Sequence, residues 1–280
     1  MREVHVSKIT ETIKKLCIDA NYYLTKDMRA RFDEARANED FPIAQNILDV
    51  LIENADIAQN EARPMCQDTG MAVVFLEIGQ EVQVVGGSLE DAINEGVRQG
   101  YTEGYLRKSV VNDPIERINT KDNTPAIIYY DIIPGDTFKV TVAPKGFGSE
   151  NMSQIKMLKP SDGIEGIKDF VLKVVKEAGP NPCPPIVVGI GIGGTFDKAA
   201  FLAKKALLRS TDERHVKPFY AELEKELLGA INDLGIGPQG FGGRTTALAV
   251  NIETYGTHIA GLPVAVNINC HATRHKDAHI

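Results

Sequence analysis

Apolar residues recur along the chain at two alternating spacings, and the switches between them mark out the elements. Ile9, Ile13, Leu16, Cys17 and Ala20 fall on one face of a 3.6-residue period, which predicts a helix over 7–23. Ala44, Ile47, Leu48, Leu51, Ile52 and Ala55 do the same over 42–60. After a loop through Pro64 and Cys66, the apolar run over 71–78 reads as a strand, with a second at 81–85. Ser88 is the N-cap of a helix that reaches about Leu106. Residues 126–133 and 137–143 read as a hairpin turning at Pro134-Gly135-Asp136, with Phe138, Val140 and Val142 alternating as in a half-buried strand. The segment 144–151 is a glycine-containing loop, and 162–178 is a helix ended by Gly179. A strand over 185–194, helices over 195–208 and 217–234, and strands near 246–253 and 263–269 complete the chain. No repeat, low-complexity tract or long linker interrupts it. The pattern predicts an α/β protein of mixed α+β character, with mixed-pairing sheets flanked by helices in a single compact unit, 1–280.

Composition agrees with that picture and removes several functions. The chain has 280 residues, 43% hydrophobic and 25% charged, as a soluble globular protein does. Its net charge of −7 and the lack of a dense basic run exclude a nucleic-acid binder held by phosphate contacts. The one basic cluster, Arg274-His275-Lys276, is short. No window is long and apolar enough for a membrane span, and the N-terminus carries no secretory signal, so a cytoplasmic location is expected.

Four cysteines carry the most chemical information. No two are closer than 49 residues, which rules out the paired spacing of zinc fingers and ribbons. Cys17 lies in the apolar stripe of the first helix and reads as a small core residue. Cys66, Cys183 and Cys270 instead sit in loops or at strand ends beside Gly, Pro and polar residues. Spacing alone leaves three readings open: three unrelated cysteines, a zinc ion held by the thiolates and His271, or a [4Fe–4S] cluster with one iron free of protein.

A competing motif is Gly189-Ile190-Gly191-Ile192-Gly193-Gly194, which fits G-x-G-x-x-G between a strand and a helix. The dinucleotide fingerprint belongs to a βαβ unit, but a second helix follows here, and the acidic candidates Asp212 and Glu213 lie in a polar stretch. A strand-to-helix turn whose glycines permit close packing, or a helix N-terminus at Thr195 facing an anion, ranks above a nucleotide-dependent oxidoreductase.

Five motifs taken in order resemble those of the iron–sulfur (class I) fumarate hydratase and tartrate dehydratase family, in particular its alpha subunit. They are Cys66-Gln67-Asp68-Thr69-Gly70, Lys145-Gly146-Phe147-Gly148-Ser149-Glu150-Asn151, Asn181-Pro182-Cys183-Pro184-Pro185, Gly256-Thr257-His258-Ile259-Ala260-Gly261-Leu262-Pro263 and Asn269-Cys270-His271. The resemblance implies that Cys66, Cys183 and Cys270 bind a [4Fe–4S] cluster whose open iron acts as a Lewis acid, with the sensitivity to oxygen that an open iron brings. It implies a small dicarboxylate substrate bound by Gln67, Asp68 and Arg107 and by backbone at Gly146 and Gly148, with Asp68 and His258 in proton transfer. Phe147 departs from the more uniformly glycine loop associated with the family.

The chain stops ten residues after Cys270, whereas single-chain members continue into a second domain with further cations and the proposed base. The resemblance therefore implies a beta subunit, paired as alpha2beta2. The expected activity is reversible hydration of fumarate to (S)-malate, with L(+)-tartrate dehydratase as the alternative and a non-catalytic metal-stabilised binding protein as the more remote one.

Overall fold

The computed structural model describes residues 1–280. Its elements begin with β1 (Arg2–His5), α1 (Val6–Tyr22), α2 (Lys26–Asn38), α3 (Pro42–Asn60), β2 (Met71–Gly79) and β3 (Val82–Val85). There follow α4 (Leu89–Glu103), β4 (Ile127–Ile133), β5 (Phe138–Lys145), a single turn α5 (Phe147–Glu150), β6 (Gln154–Leu158) and α6 (Gly163–Ala178). The chain ends with β7 (Ile186–Gly194), α7 (Phe196–Ala206), α8 (Pro218–Asn232), β8 (Ala247–Thr257), β9 (Leu262–Asn269) and β10 (Lys276–His279). Mixed sheets flanked by helices are as expected. By its internal contacts the chain divides into two compact units.

The first unit comprises Met1–Thr25, Asn54–Gly146 and Arg274–Ile280. Its main sheet has the order β10-β5-β2-β4, with β2 parallel to β4 and antiparallel to β5. β2 is buried continuously from Ala72 to Leu76, so it takes a central place with a partner on each side. Ile9, Ile13 and Cys17 of α1 and Ile93, Val97 and Tyr101 of α4 pack onto Val74, Leu76, Phe138 and Val140 of the sheet. Ser88 caps α4 as expected, its hydroxyl accepting a hydrogen bond from the Asp91 N–H at 3.3 Å.

The predicted hairpin is corrected here. Both strands form, but β4 and β5 lie on opposite sides of β2 and do not pair. The turn residues instead wrap the end of β2: Gln80 N–H donates to Ile133 O at 2.9 Å and Glu81 N–H to Gly135 O at 3.0 Å.

The second unit comprises Lys26–Glu53 and Phe147–Thr273. Its sheet has the order β6-β9-β7-β8, with β7 and β8 parallel and the other pairs antiparallel. Alternation along β7 sends its two faces to different helices. Val188, Ile190 and Ile192 join the core beneath α6 and α8. Gly189 and Gly191 face α7: a Cβ on them would stand 2.2 Å from Ala203 O and 2.1 Å from Ala199 O. The glycines of the competing motif thus serve close packing of helix on strand. α6 buries Ile167, Phe170, Val171, Val174 and Val175, each contributing at most ~1.5–3 kcal/mol by area. It ends at Gly179, which has φ of 51° and donates its N–H to Val175 O.

Candidate active site

The loop that carries Cys66 is fixed at both ends. Met65 is buried, its N–H bonded to Asn21 O at 3.0 Å and its carbonyl to Asn54 Nδ2 at 2.8 Å. At the other end Gly70 enters β2 with φ of 74°, and a Cβ there would lie 2.6 Å from the backbone of Lys145, so no other residue fits. Between these anchors Cys66 and Asp68 are half-buried, and Gln67 is exposed. Asp68 closes a local turn, its Oδ1 accepting the Gly70 N–H at 3.0 Å.

Beside this loop runs the segment after α4, where Tyr105 has φ of 50° and Arg107 points out from behind buried Leu106. Thr69 Oγ1 donates to Arg107 O at 3.2 Å and joins the two segments. Together they line a cleft of about 630 Å³ that contains Cys66, Gln67, Arg107, Arg63 and Tyr105. A thiol, an amide and two guanidinium groups thus share one open space. Arginine forks match carboxylates bidentately, so a small dicarboxylate is a suitable guest. The pattern reading missed Arg63 and Tyr105. The only signal for Arg63 was its place three residues before Cys66. Gly146 lies beside Asp68: a Cβ there would come within 3.1 Å of Asp68 Oδ2.

In the second unit the Cys183 and Cys270 segments lie side by side. Cys183 is exposed, with φ of 55°, and its N–H donates to Pro180 O at 3.0 Å. Its carbonyl accepts the His271 N–H at 3.1 Å, and His271 Nδ1 lies 3.2 Å from the same oxygen. Gln239 pins the next carbonyl, Pro184 O, through both its N–H and its Nε2 at 2.7 Å. Cys270, half-buried, directly follows β9. His271 faces Cys183 backbone, and within this unit no third Cys, His, Asp or Glu joins the pair as a metal-holding group.

Gly148 lies on α5, where a Cβ would meet only Asn181 O at 3.7 Å, an ordinary contact. The same turn is held by Glu150, which accepts from Lys204 Nζ at 2.6 Å and Asn267 Nδ2 at 2.7 Å. Lys204, Asn267 and Gln239 brace the motif loops and were not singled out by pattern, because nothing in the local sequence distinguishes them from other polar residues.

His258 lies elsewhere in the second unit. It sits in an exposed turn four residues before β9 begins, and Cys270 follows the end of that strand. Eight residues at ~3.3 Å each separate the two by roughly 25 Å. Its Nδ1 accepts the Ala260 N–H at 3.2 Å, beside an apolar groove of about 400 Å³ containing Phe219, Ile192 and Ile259. The structure does not bring His258 to the cysteines of its own unit.

None of the four cysteines is in a disulfide. Cys17 is fully buried, and that burial pushes its thiol up to about 12, so it offers no thiolate at neutral pH. Three accessible soft donors on braced loops and one inert thiol are a donor set that fits an iron–sulfur group. No helix is long and apolar enough to cross a membrane.

Residues 10–279 match the family model described as fumarate hydratase (Fumerase), and the chain belongs to that family of hydro-lyases. It is 48% identical over 275 residues, 95% of each chain, to the putative L(+)-tartrate dehydratase subunit alpha of Methanocaldococcus jannaschii. It is also 32% identical over 273 residues to the L(+)-tartrate dehydratase subunit alpha of Escherichia coli strain K12, covering 96% of this chain and 89% of that one.

Proposed function

We propose that the chain is the alpha subunit of a hydro-lyase that dehydrates L(+)-tartrate, working with a beta subunit. The observation that carries the class of reaction is the cleft that gathers Cys66, Gln67 and Arg107. The names of the two relatives, matched over nearly the whole chain, support tartrate ahead of the fumarate expected from the motifs. Fumarate hydration stays as the second reading, favoured by the description of the family model.

Removing water from a hydroxy dicarboxylate takes a proton from the carbon beside one carboxylate and hydroxide from its neighbour. Arg107 holds a carboxylate through its planar fork, while the Gln67 amide offers a donor and an acceptor for a carboxylate or hydroxyl. Asp68, held in place by the Gly70 N–H, hydrogen-bonds the substrate hydroxyl and delivers the proton with which it leaves as water. Gly146 leaves room for that carboxylate. Cys66, Cys183 and Cys270 would hold a [4Fe–4S] cluster. When bound, it supplies Lewis acidity at an iron without a protein ligand. The beta subunit supplies the remaining cations and the base for the carbon-bound proton. His258 takes no part in this scheme within one chain.

Tartrate carries one hydroxyl more than malate, and a site that hydrogen-bonds it rejects the analogue lacking it by about 10⁴–10⁵. The test is an anaerobic assay of the chain with its beta partner on L(+)-tartrate, (S)-malate and fumarate. The expected result is a kcat/KM for L(+)-tartrate at least 100-fold above that for (S)-malate. The reverse order makes the enzyme a fumarate hydratase, and turnover of none of the three refutes the hydro-lyase reading.

A further inference from the structure

The carbonyls of Asp68, Thr69 and Gly70 all turn inward to buried donors from distant parts of the first unit. Arg274, 4% exposed, donates from Nη2 to Asp68 O. Tyr101, fully buried, shares its hydroxyl hydrogen between Thr69 O at 2.8 Å and Gly70 O at 3.0 Å. Asn123, also fully buried, donates from Nδ2 to Gly70 O at 3.1 Å, and its Oδ1 accepts the Ser109 N–H at 2.7 Å. Burial holds the Tyr101 hydroxyl well above the usual tyrosine range, so it stays a donor at any working pH.

Across a trans peptide the C=O and N–H point in opposite directions. Drawing Thr69 O inward to Tyr101 therefore aims the Gly70 N–H outward, and that N–H holds Asp68 Oδ1 at 3.0 Å. Arg274 fixes the preceding peptide in the same sense. It keeps two guanidinium nitrogens, Nε and Nη1, buried without a partner. A cation so expensively buried on a single carbonyl is more than packing requires.

We propose that Tyr101 and Arg274 are positioning residues that aim the Asp68 carboxylate, acting through the backbone of the Asp68–Gly70 turn. This rests on the role given to Asp68 above, and the test separates the two. In Tyr101→Phe the ring keeps its place in the core and only the donor is lost. The Gly70 amide should then exchange hydrogen at least tenfold faster, while the Val74 amide in β2 keeps its rate. In the assembled enzyme kcat should fall at least tenfold, with KM within threefold of the parent. In an Asp68→Ala background the same change should alter kcat less than twofold, because the group it aims is gone. Arg274→Lys, which keeps the charge but loses the fork, should show the same non-additivity with a smaller effect, and it serves if Tyr101→Phe does not fold. Unchanged Gly70 exchange, or effects that add fully to those of Asp68→Ala, would overturn the proposal. Faster Gly70 exchange in an assembled enzyme that turns over neither tartrate nor malate would refute the substrate reading and leave the positioning intact.

Discussion

Arg107 stands exposed in the cleft, one residue past buried Leu106, with its backbone tied to Thr69. A charge-assisted hydrogen bond to a carboxylate is worth roughly 1.5–3 kcal/mol, so Arg107→Ala should lower kcat/KM about 10- to 100-fold. Arg107→Lys should recover only part of that loss, because an ammonium offers a point charge and not a fork. Steady-state kinetics on both variants checks this, and full recovery by Lys would argue that Arg107 supplies only long-range charge. Gln67 and Asp68 were named because they lie within a motif, and Arg107 because Tyr105-Leu106-Arg107-Lys108-Ser109 resembles the family's substrate-binding segment. Tyr101 and Arg274 were not, since their contribution passes through backbone carbonyls and leaves no local pattern.

At the scale of elements, two glycines give opposite expectations. Gly191 on β7 lets α7 approach, and Ala there would place its Cβ 2.1 Å from Ala199 O. Such overpacking costs about 1–3 kcal/mol, which lowers the Tm by several degrees. Gly229, inside α8 with open space around it, should accept Ala and gain about 0.5–1 kcal/mol. Thermal unfolding of the two variants distinguishes them, and equal shifts would show that strand-helix distance on β7 is not tightly set.

Helices such as α3 and α6 were readable because a wide apolar stripe repeats at 3.6 residues. α2 was not, since only Met28, Phe32 and Ala35 mark its buried line in a very polar segment. The short strands β1 and β10 are four residues of mostly polar chain and β6 is only five residues long, and all three are ordered by their partners and not by propensity. The hairpin failed for a related reason. Adjacency in sequence suggested pairing, but the apolar β2 competes better for both neighbours.

At the scale of the whole molecule, the candidate residues divide between the units. Cys66, Gln67, Asp68, Arg107 and Gly146 belong to the first, and Gly148, Cys183 and Cys270 to the second. Local periodicity could not reveal that division, because the chain passes from one unit to the other several times. The ordered motifs named this set of candidates without needing their arrangement. The direct measurement is iron and acid-labile sulfide content of the anaerobically purified chain and of its four single Cys→Ser variants. The parent and Cys17→Ser should each hold about four iron and four sulfide per chain, and Cys66→Ser, Cys183→Ser and Cys270→Ser should lose the cluster. Full iron content in Cys183→Ser, or zinc in place of iron in the parent, would contradict the assignment.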